Sequence, residues 1–318
     1  MTSVRTILVA IADPAAREQP AVKRAAQIAS PTNARVVLFH AAYESYLSGR
    51  PFFDTARLGK SRGAFVETRT RQLERHATAL RKHGIAVETN VVWEEPPHEA
   101  IVRAAIRHDA GLVVAGVHRE GTSRSLRYTD WELLRLCPRP LLIVRAQRSR
   151  GPVVAALDPT HMFDKPAALD IALAQQGAAL AAALGASFDA VHCLLPAAYP
   201  LGVPTEKERR QMGEEAQTSL LDTLTKSGVE ARKIHVVPGL PEAAIPKLLT
   251  KVGAQVLVIG AISRRGLKRL VIGNTAEKLI HSTPCDLLIV KPKGFKAPLG
   301  RVRKAEVVTP ARGKPARR

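Results

Sequence analysis

Aromatic residues are scarce. Phe, Trp and Tyr make up 4% of the 318 residues, too few to line a groove with the stacking platforms that grip single-stranded nucleic acid. Cysteine is rarer still. Cys137, Cys193 and Cys285 are odd in number, far apart and without a CxxC pair, which argues against a disulfide framework or a zinc site and fits reduced, packed thiols in a cytoplasm. No apolar run nears the roughly 20 residues that span a bilayer. The opening MTSVRTILVAIAD has too short an apolar stretch for a secretory signal and reads as a first strand. The ten histidines form no HExxH, and there is neither a GxSxG elbow nor a Walker P-loop. Zincin, α/β-hydrolase and P-loop chemistry are thereby set aside.

Positive charge, in contrast, is plentiful and uneven. The net charge is +20. Residues 1–148 carry an excess of nine cations, 149–290 an excess of two, and 291–318 another nine. The last segment, KPKGFKAPLGRVRKAEVVTPARGKPARR, has four prolines and little apolar content. It cannot bury enough surface to offset its ordering entropy, so 293–318 is expected to be a flexible basic tail. A solubilising role is favoured over contact with nucleic acid or an anionic membrane, because no aromatics are interleaved with the charges.

The chain repeats itself once. ILVAIAD (7–13) returns as VVAALD (153–158), VVLFH (36–40) as FDAVH (188–192), LVVAG (112–116) as VLVIG (256–260), and LLIV (141–144) as LLIV (287–290). Apolar runs without alternation suit strands covered on both faces. Helices are expected between them: over Pro20–Ile28, from about Arg57 to Lys82 with Leu73, Ala77 and Leu80 inward, and after Pro97. The second copy repeats the plan over Pro166–Leu184, from the Thr205-x-x-Glu208 capping box, and from Pro241. Gly84 and Gly253 are placed to end helices. Alternating strands and helices give an α/β fold of two tandem, doubly wound parallel sheets of about five strands each, spanning 1–147 and 151–292.

Ligands in such sheets bind beyond the carboxyl ends of the strands. Asp13 and Asp158 both follow a first strand and precede proline; ligand contact and an ordinary Asp-Pro turn remain equal readings. The most informative stretch is VLVIGAISRRGLKRLVIGNTAEKLIHSTPCDLLIV, 256–290. A strand ends at Gly260, a basic loop follows, and Gly273 precedes Asn274-Thr275-Ala276-Glu277, which has the spacing of a capping box. A loop ending at a helix N-terminus presents free N–H groups to an anion.

These residues resemble the universal stress protein family, and the duplication is similar to its tandem, E-type members, over both halves of the chain. The family's nucleotide motif is a glycine, two residues, a second glycine, nine residues, then glycine and serine or threonine. Gly260 and Gly273 match the first and third glycines; Ser263 stands at the second, and Asn274 with Thr275 at the hydroxyl position. The resemblance implies the family's adenine nucleotide alpha hydrolase-like fold, with the two halves paired across their LLIV strands as an intramolecular pseudo-dimer. It implies an adenine nucleotide such as ATP, with Mg2+ accompanying it, in the C-terminal half. Asp158 and Cys193 would lie by the base and ribose, and Gly260, Ser263, Gly273, Asn274 and Thr275 around ribose and phosphates.

The first copy departs further. In GVHREGTSRSLRYTDWELL, aligning Thr129-x-x-Glu132 with Asn274-x-x-Glu277 puts Tyr128 at the place of Gly273 and Asp130 at that of Thr275, arrangements hostile to phosphate. The expectation is a cytoplasmic, non-enzymatic stress-response protein with one nucleotide site. Its partners would be an adenine nucleotide and, further, a second copy of the chain in a homodimer, with no membrane. A weak ATP hydrolase or phosphoryl-transfer enzyme using the same loop, and an adaptor whose basic tail recruits nucleic acid, are the alternatives. Trp93 and Trp131 read as packing residues, and His40 and His192, at matching strand ends, as structural hydrogen-bonding groups.

Overall fold

Each unbroken apolar run is a strand covered from both sides. The computed structural model describes residues 4–44, 55–117, 119–120, 123–124, 128–145, 150–159, 167–194, 205–261 and 273–299. The first half runs β1 (Thr6–Ala10), α1 (Pro20–Thr32), β2 (Arg35–Ala42), α2 (Thr55–Arg81), β3 (Val87–Trp93), α3 (Pro97–Arg107) and β4 (Leu112–Gly116). It continues with β5 (Arg119–Glu120), β6 (Ser123–Arg124), α4 (Tyr128–Leu136) and β7 (Leu141–Val144). The second half runs β8 (Val153–Ala156), α5 (Ala167–Ala183), β9 (Phe188–Leu194), α6 (Glu206–Ser227) and β10 (Lys233–Pro238). It ends with α7 (Pro241–Val252), β11 (Val256–Gly260), α8 (Asn274–Ser282) and β12 (Asp286–Val290).

The two expected five-stranded sheets are joined edge to edge into one ten-stranded sheet of order β10-β9-β8-β11-β12-β7-β4-β1-β2-β3. Neighbours are parallel except at the centre, where β12 and β7 run antiparallel. There Leu287 faces Ile143, Leu288 faces Leu142 and Ile289 faces Leu141. Leu142 and Leu288 are equivalent positions of the two LLIV runs, so a local two-fold passes through this pair. The expected seam is the observed one.

Side chains leave each strand alternately. Ile7 and Val9 join a core under α1, α2, α5 and α6, while Leu8 and Ala10 join one under α3, α4, α7 and α8. Helices therefore cover both faces. On α2, Leu73, Ala77 and Leu80 are buried. Gly84 (φ +75°) and Gly253 (φ +62°) follow α2 and α7 in the left-handed region, where a side chain would be strained. The helix expected to stop at Ile28 instead runs on through Pro31. Pro31 has no N–H to offer the Gln27 carbonyl, and the helix ends one residue later at Thr32, whose hydroxyl donates to the Ile28 carbonyl at 2.6 Å.

A buried polar cluster crosses the seam. Arg24 of α1 donates from Nε and Nη2 to Asp286 Oδ2 at 2.9 and 2.8 Å, and from Nη1 to Gln255 Oε1 at 3.1 Å. The Arg145 N–H reaches Asp286 Oδ1 at 2.8 Å, and its guanidinium donates to the Ile280 carbonyl at the end of α8. Beyond β12 the basic tail does not begin at once. Lys291 is buried with its ammonium 5.1 Å from the Phe295 ring, and Ala297 and Leu299 pack on the core. Apolar burial thus extends to Leu299, past the expected boundary at 293; residues 300–318 lie outside the described residues.

Candidate nucleotide site at the carboxyl edge of the second half

Strand order reverses in the second half between β8 and β11, and the residues singled out there gather at that carboxyl edge. Asp158 lies two residues past β8; its N–H donates to Oδ1 of Asp170, a buried residue of α5, at 3.1 Å. Gly260 closes β11 opposite Val290, and the next N–H, of Ala261, donates to the Val290 carbonyl at 3.1 Å. Asp13, the first-half counterpart of Asp158, is a turn residue: its Oδ1 accepts the Ala15 N–H at 2.9 Å.

Cys193 is not on a loop rim. It sits within β9, opposite Val237, packed into the core beneath α7 and α8. Desolvation, reinforced by Glu242, pushes its thiol up to about 12, so it is an inert packing thiol. All three cysteines are free and buried.

The helix start corrects the expected capping box. Gly273, not Asn274, is the N-cap of α8; Asn274 and Thr275 are the first two helical residues, and among the described residues no side chain caps the open amides. Gly273 has φ −53°, so no left-handed backbone demands glycine here, and a Cβ built on it would meet nothing within 4 Å. What glycine leaves is space in front of an uncapped helix N-terminus. Ser263 and the loop cations Arg264, Arg265, Lys268 and Arg269 lie outside the described residues.

Sequence reasoning missed the clasp beside this opening. Glu242, second residue of α7, accepts from Lys278 Nζ, on the first turns of α8, at 2.8 Å. That bond holds the Glu242 carboxyl below the usual range. The repeat does not reproduce it: the matching positions of α3 and α4 carry His98 and Glu132, and Glu132 accepts from Arg135 at 2.6 Å instead.

The first-half alignment also shifts by one residue. Helices α4 and α8 are both nine residues long, and their buried pairs Leu133–Leu134 and Leu279–Ile280 occupy the same turn. Tyr128 therefore matches Asn274, not Gly273, and Thr129, lying inside α4, is no N-cap. Tyr128 points to solvent. It is 71% exposed, its ring tilted edge-on to His98 with centroids 5.8 Å apart. Trp131 packs on His281 across the seam (5.1 Å), and Trp93 packs between Tyr43, Phe65 and the Arg62 guanidinium. His40 and His192 have equivalent structural bonds, Nδ1 to the carbonyls of Ile11 (2.8 Å) and Leu157 (3.1 Å).

Two doubly wound α/β units sharing one sheet, each with helices on both faces, define a tandem, doubly wound α/β protein. The chain belongs to the universal stress protein family, whose model matches residues 3–145 and again 153–291. It is similar to universal stress protein E of Photorhabdus laumondii (29% identical, covering 94% of this chain and 98% of the relative). Universal stress protein E of Escherichia coli K12 is 27% identical with the same coverage. Among solved structures, a family protein of Pseudomonas aeruginosa UCBPP-PA14 shares the fold over 91% of this chain and 94% of its own, with a TM-score of 0.68 at 24% identity. Among the described residues, no helix is long and apolar enough to cross a membrane, and no cluster of three His, Cys, Asp or Glu side chains is arranged to hold a metal ion.

Proposed function

We propose that the C-terminal half binds an adenine nucleotide, with Mg2+ on its phosphates, and that the chain works as a non-enzymatic, cytoplasmic stress-response protein. The observation that carries this reading is the N-terminus of α8: uncapped by any side chain among the described residues, open at Gly273, and placed at the carboxyl edge where β11 ends at Gly260. Amides of that first turn suit a phosphate, and the helix dipole favours its charge. The backbone beyond β8 and β9, at Asp158 and past Cys193, would border base and ribose. A binding rather than hydrolytic role is favoured because Glu242, a carboxylate near this opening, is committed to Lys278. Phosphate release over many turnovers would support the hydrolase instead.

Gly273→Asp tests the site without confusing binding with folding. Asp is a preferred N-cap and there is room for its Cβ, so the variant should melt at or above the wild-type temperature. It should lose affinity for a fluorescent ATP analogue by more than tenfold, because the new carboxylate occupies the amides and repels phosphate. Unchanged affinity in the variant, or no binding by the full chain at millimolar nucleotide, would overturn the proposal.

A further inference from the structure

The first half carries an excess of nine cations that neither the nucleotide site nor the basic tail accounts for, and α2 collects many of them. Helix α2 has seven Lys and Arg against two Glu. The corresponding helix of the second half, α6, has four against five. Both pack against the outer strands of their own half, so the charge of α2 is not something this position in the fold requires. On α6 the cations are largely spoken for locally: Arg209 by Glu206, Arg210 by Glu214 and Lys226 by Asp222. On α2 fewer are: Arg62 and Arg69 lie over Trp93 and Phe65, Arg69 also reaches Asp13 at 3.7 Å, and Arg81 pairs with Glu74. Lys60, Arg71, Arg75 and, at the helix end, Lys82 are exposed and have no ion-pair partner among the described residues.

Their spacing puts these four on one stripe. At about 100° per residue they fall within roughly 60° of each other around the axis, opposite the buried Val66, Leu73, Ala77 and Leu80. Of the two acids on α2, Glu74 is held by Arg81 and Thr89, and Glu67, bordering the stripe, has no partner among the described residues. From Lys60 to Lys82 the row is about 33 Å long, close to one turn of a nucleic-acid duplex at roughly 34 Å. We infer that the outer face of α2 docks the phosphate backbone of a nucleic-acid duplex without reading its sequence.

The chemistry of the face favours this partner over others. A membrane-lying helix inserts an apolar face, whereas the apolar face of α2 is buried in its own core, and the exposed large hydrophobics among the described residues, Ile106, Tyr128, Leu221 and Leu240, are elsewhere. A single strand needs rings to stack on, and the rings near α2 already lie against arginines. A straight row of guanidinium and ammonium groups suits a regular row of phosphates, with affinity gained by counterion release. This surface is separate from the nucleotide site and does not depend on it.

The test is fluorescence anisotropy of a labelled 20-base-pair duplex with the full chain, from about 0.05 to 0.3 M salt. The variant carries Lys60→Gln, Arg71→Gln, Arg75→Gln and Lys82→Gln together, all at exposed positions where Gln suits a helix. It should bind more than tenfold more weakly at about 0.1 M salt, and the slope of log affinity against log salt should flatten by about three. Glu67→Gln should bind more tightly than wild type, a gain that misfolding cannot mimic, and Arg209→Gln with Arg210→Gln on α6 should change nothing. No duplex binding by the wild type, equal binding by the fourfold variant (which would leave the work to the tail), or a preference for phosphatidylserine vesicles over duplex would each overturn the inference.

Discussion

A buried imidazole prefers to stay neutral, and three histidines here are placed to feel that preference. Burial holds His40, His98 and His108 below the ordinary histidine value near 6.5, outweighing the pull of Asp13 on His40, of Glu132 and Glu99 on His98, and of Glu88 on His108. The unfolded chain therefore binds more protons than the folded one as the pH drops below 6.5. Their contribution to stability is complete above that value and is lost as the pH falls through the lowered folded values. Urea unfolding at pH 7.5, 6.5 and 5.5 should show the midpoint falling with pH at constant slope; a midpoint that holds steady or rises on acidification would contradict it. The matching positions, His98 and Glu132 in the first half against Glu242 and Lys278 in the second, add a difference between the halves: Glu242 and Lys278 are joined by a charged bond, whereas Glu132 pairs with Arg135.

Among the elements, the helix starts show how far local spacing carries. A polar residue three before a glutamate occurs at Thr205, Thr129 and Asn274, but a box forms only at the first. There Thr205 Oγ1 accepts the Glu208 N–H at 3.3 Å and Glu208 Oε2 accepts the Thr205 N–H at 2.7 Å. Thr205→Ala should cost about 1 kcal/mol in denaturant unfolding, and a loss below a few tenths would show that α6 is fixed by packing alone. At α4 and α8 the start is set by the docking of Leu133–Leu134 and Leu279–Ile280 on the sheet, a long-range constraint that outranks a four-residue pattern. What was legible in the residues themselves shares one cause: strong apolar patterning, which marked the strands and the α2 stripe, whereas the LLIV pairing followed from the family resemblance. What was not legible depended on which polar groups meet after folding. The Cys193 thiol turned inward into a core, and Glu242 met Lys278 across 36 residues of chain; neither leaves a mark in local spacing.

At the scale of the molecule, the two-fold that relates the halves is broken where the charge is buried. Asp286 opens β12 with its carboxylate fully enclosed, whereas the position one before β7 in the first half is Pro140. Burial pushes the Asp286 carboxyl up while Arg24 and the Arg145 N–H pull it down, so the group is costly to hide and Arg24 is what makes hiding it tolerable. The clamp joins α1 of one half to the seam strand of the other, 262 residues apart in sequence. Arg24→Ala leaves that carboxylate without its guanidinium and should cost about 3–5 kcal/mol, whereas Arg24→Met with Asp286→Leu, which removes both charges, should recover most of the loss. Because the sheet is continuous through the seam, the halves should unfold together in the wild type. The fluorescence of Trp93 and Trp131, both in the first half, should then follow the same urea curve as far-UV circular dichroism, which reports on both halves. With Arg24→Ala the two curves should separate. A single-variant loss under about 1 kcal/mol, or a double variant no better than the single, would mean that the leucine pairing at the seam holds the halves together without the clamp.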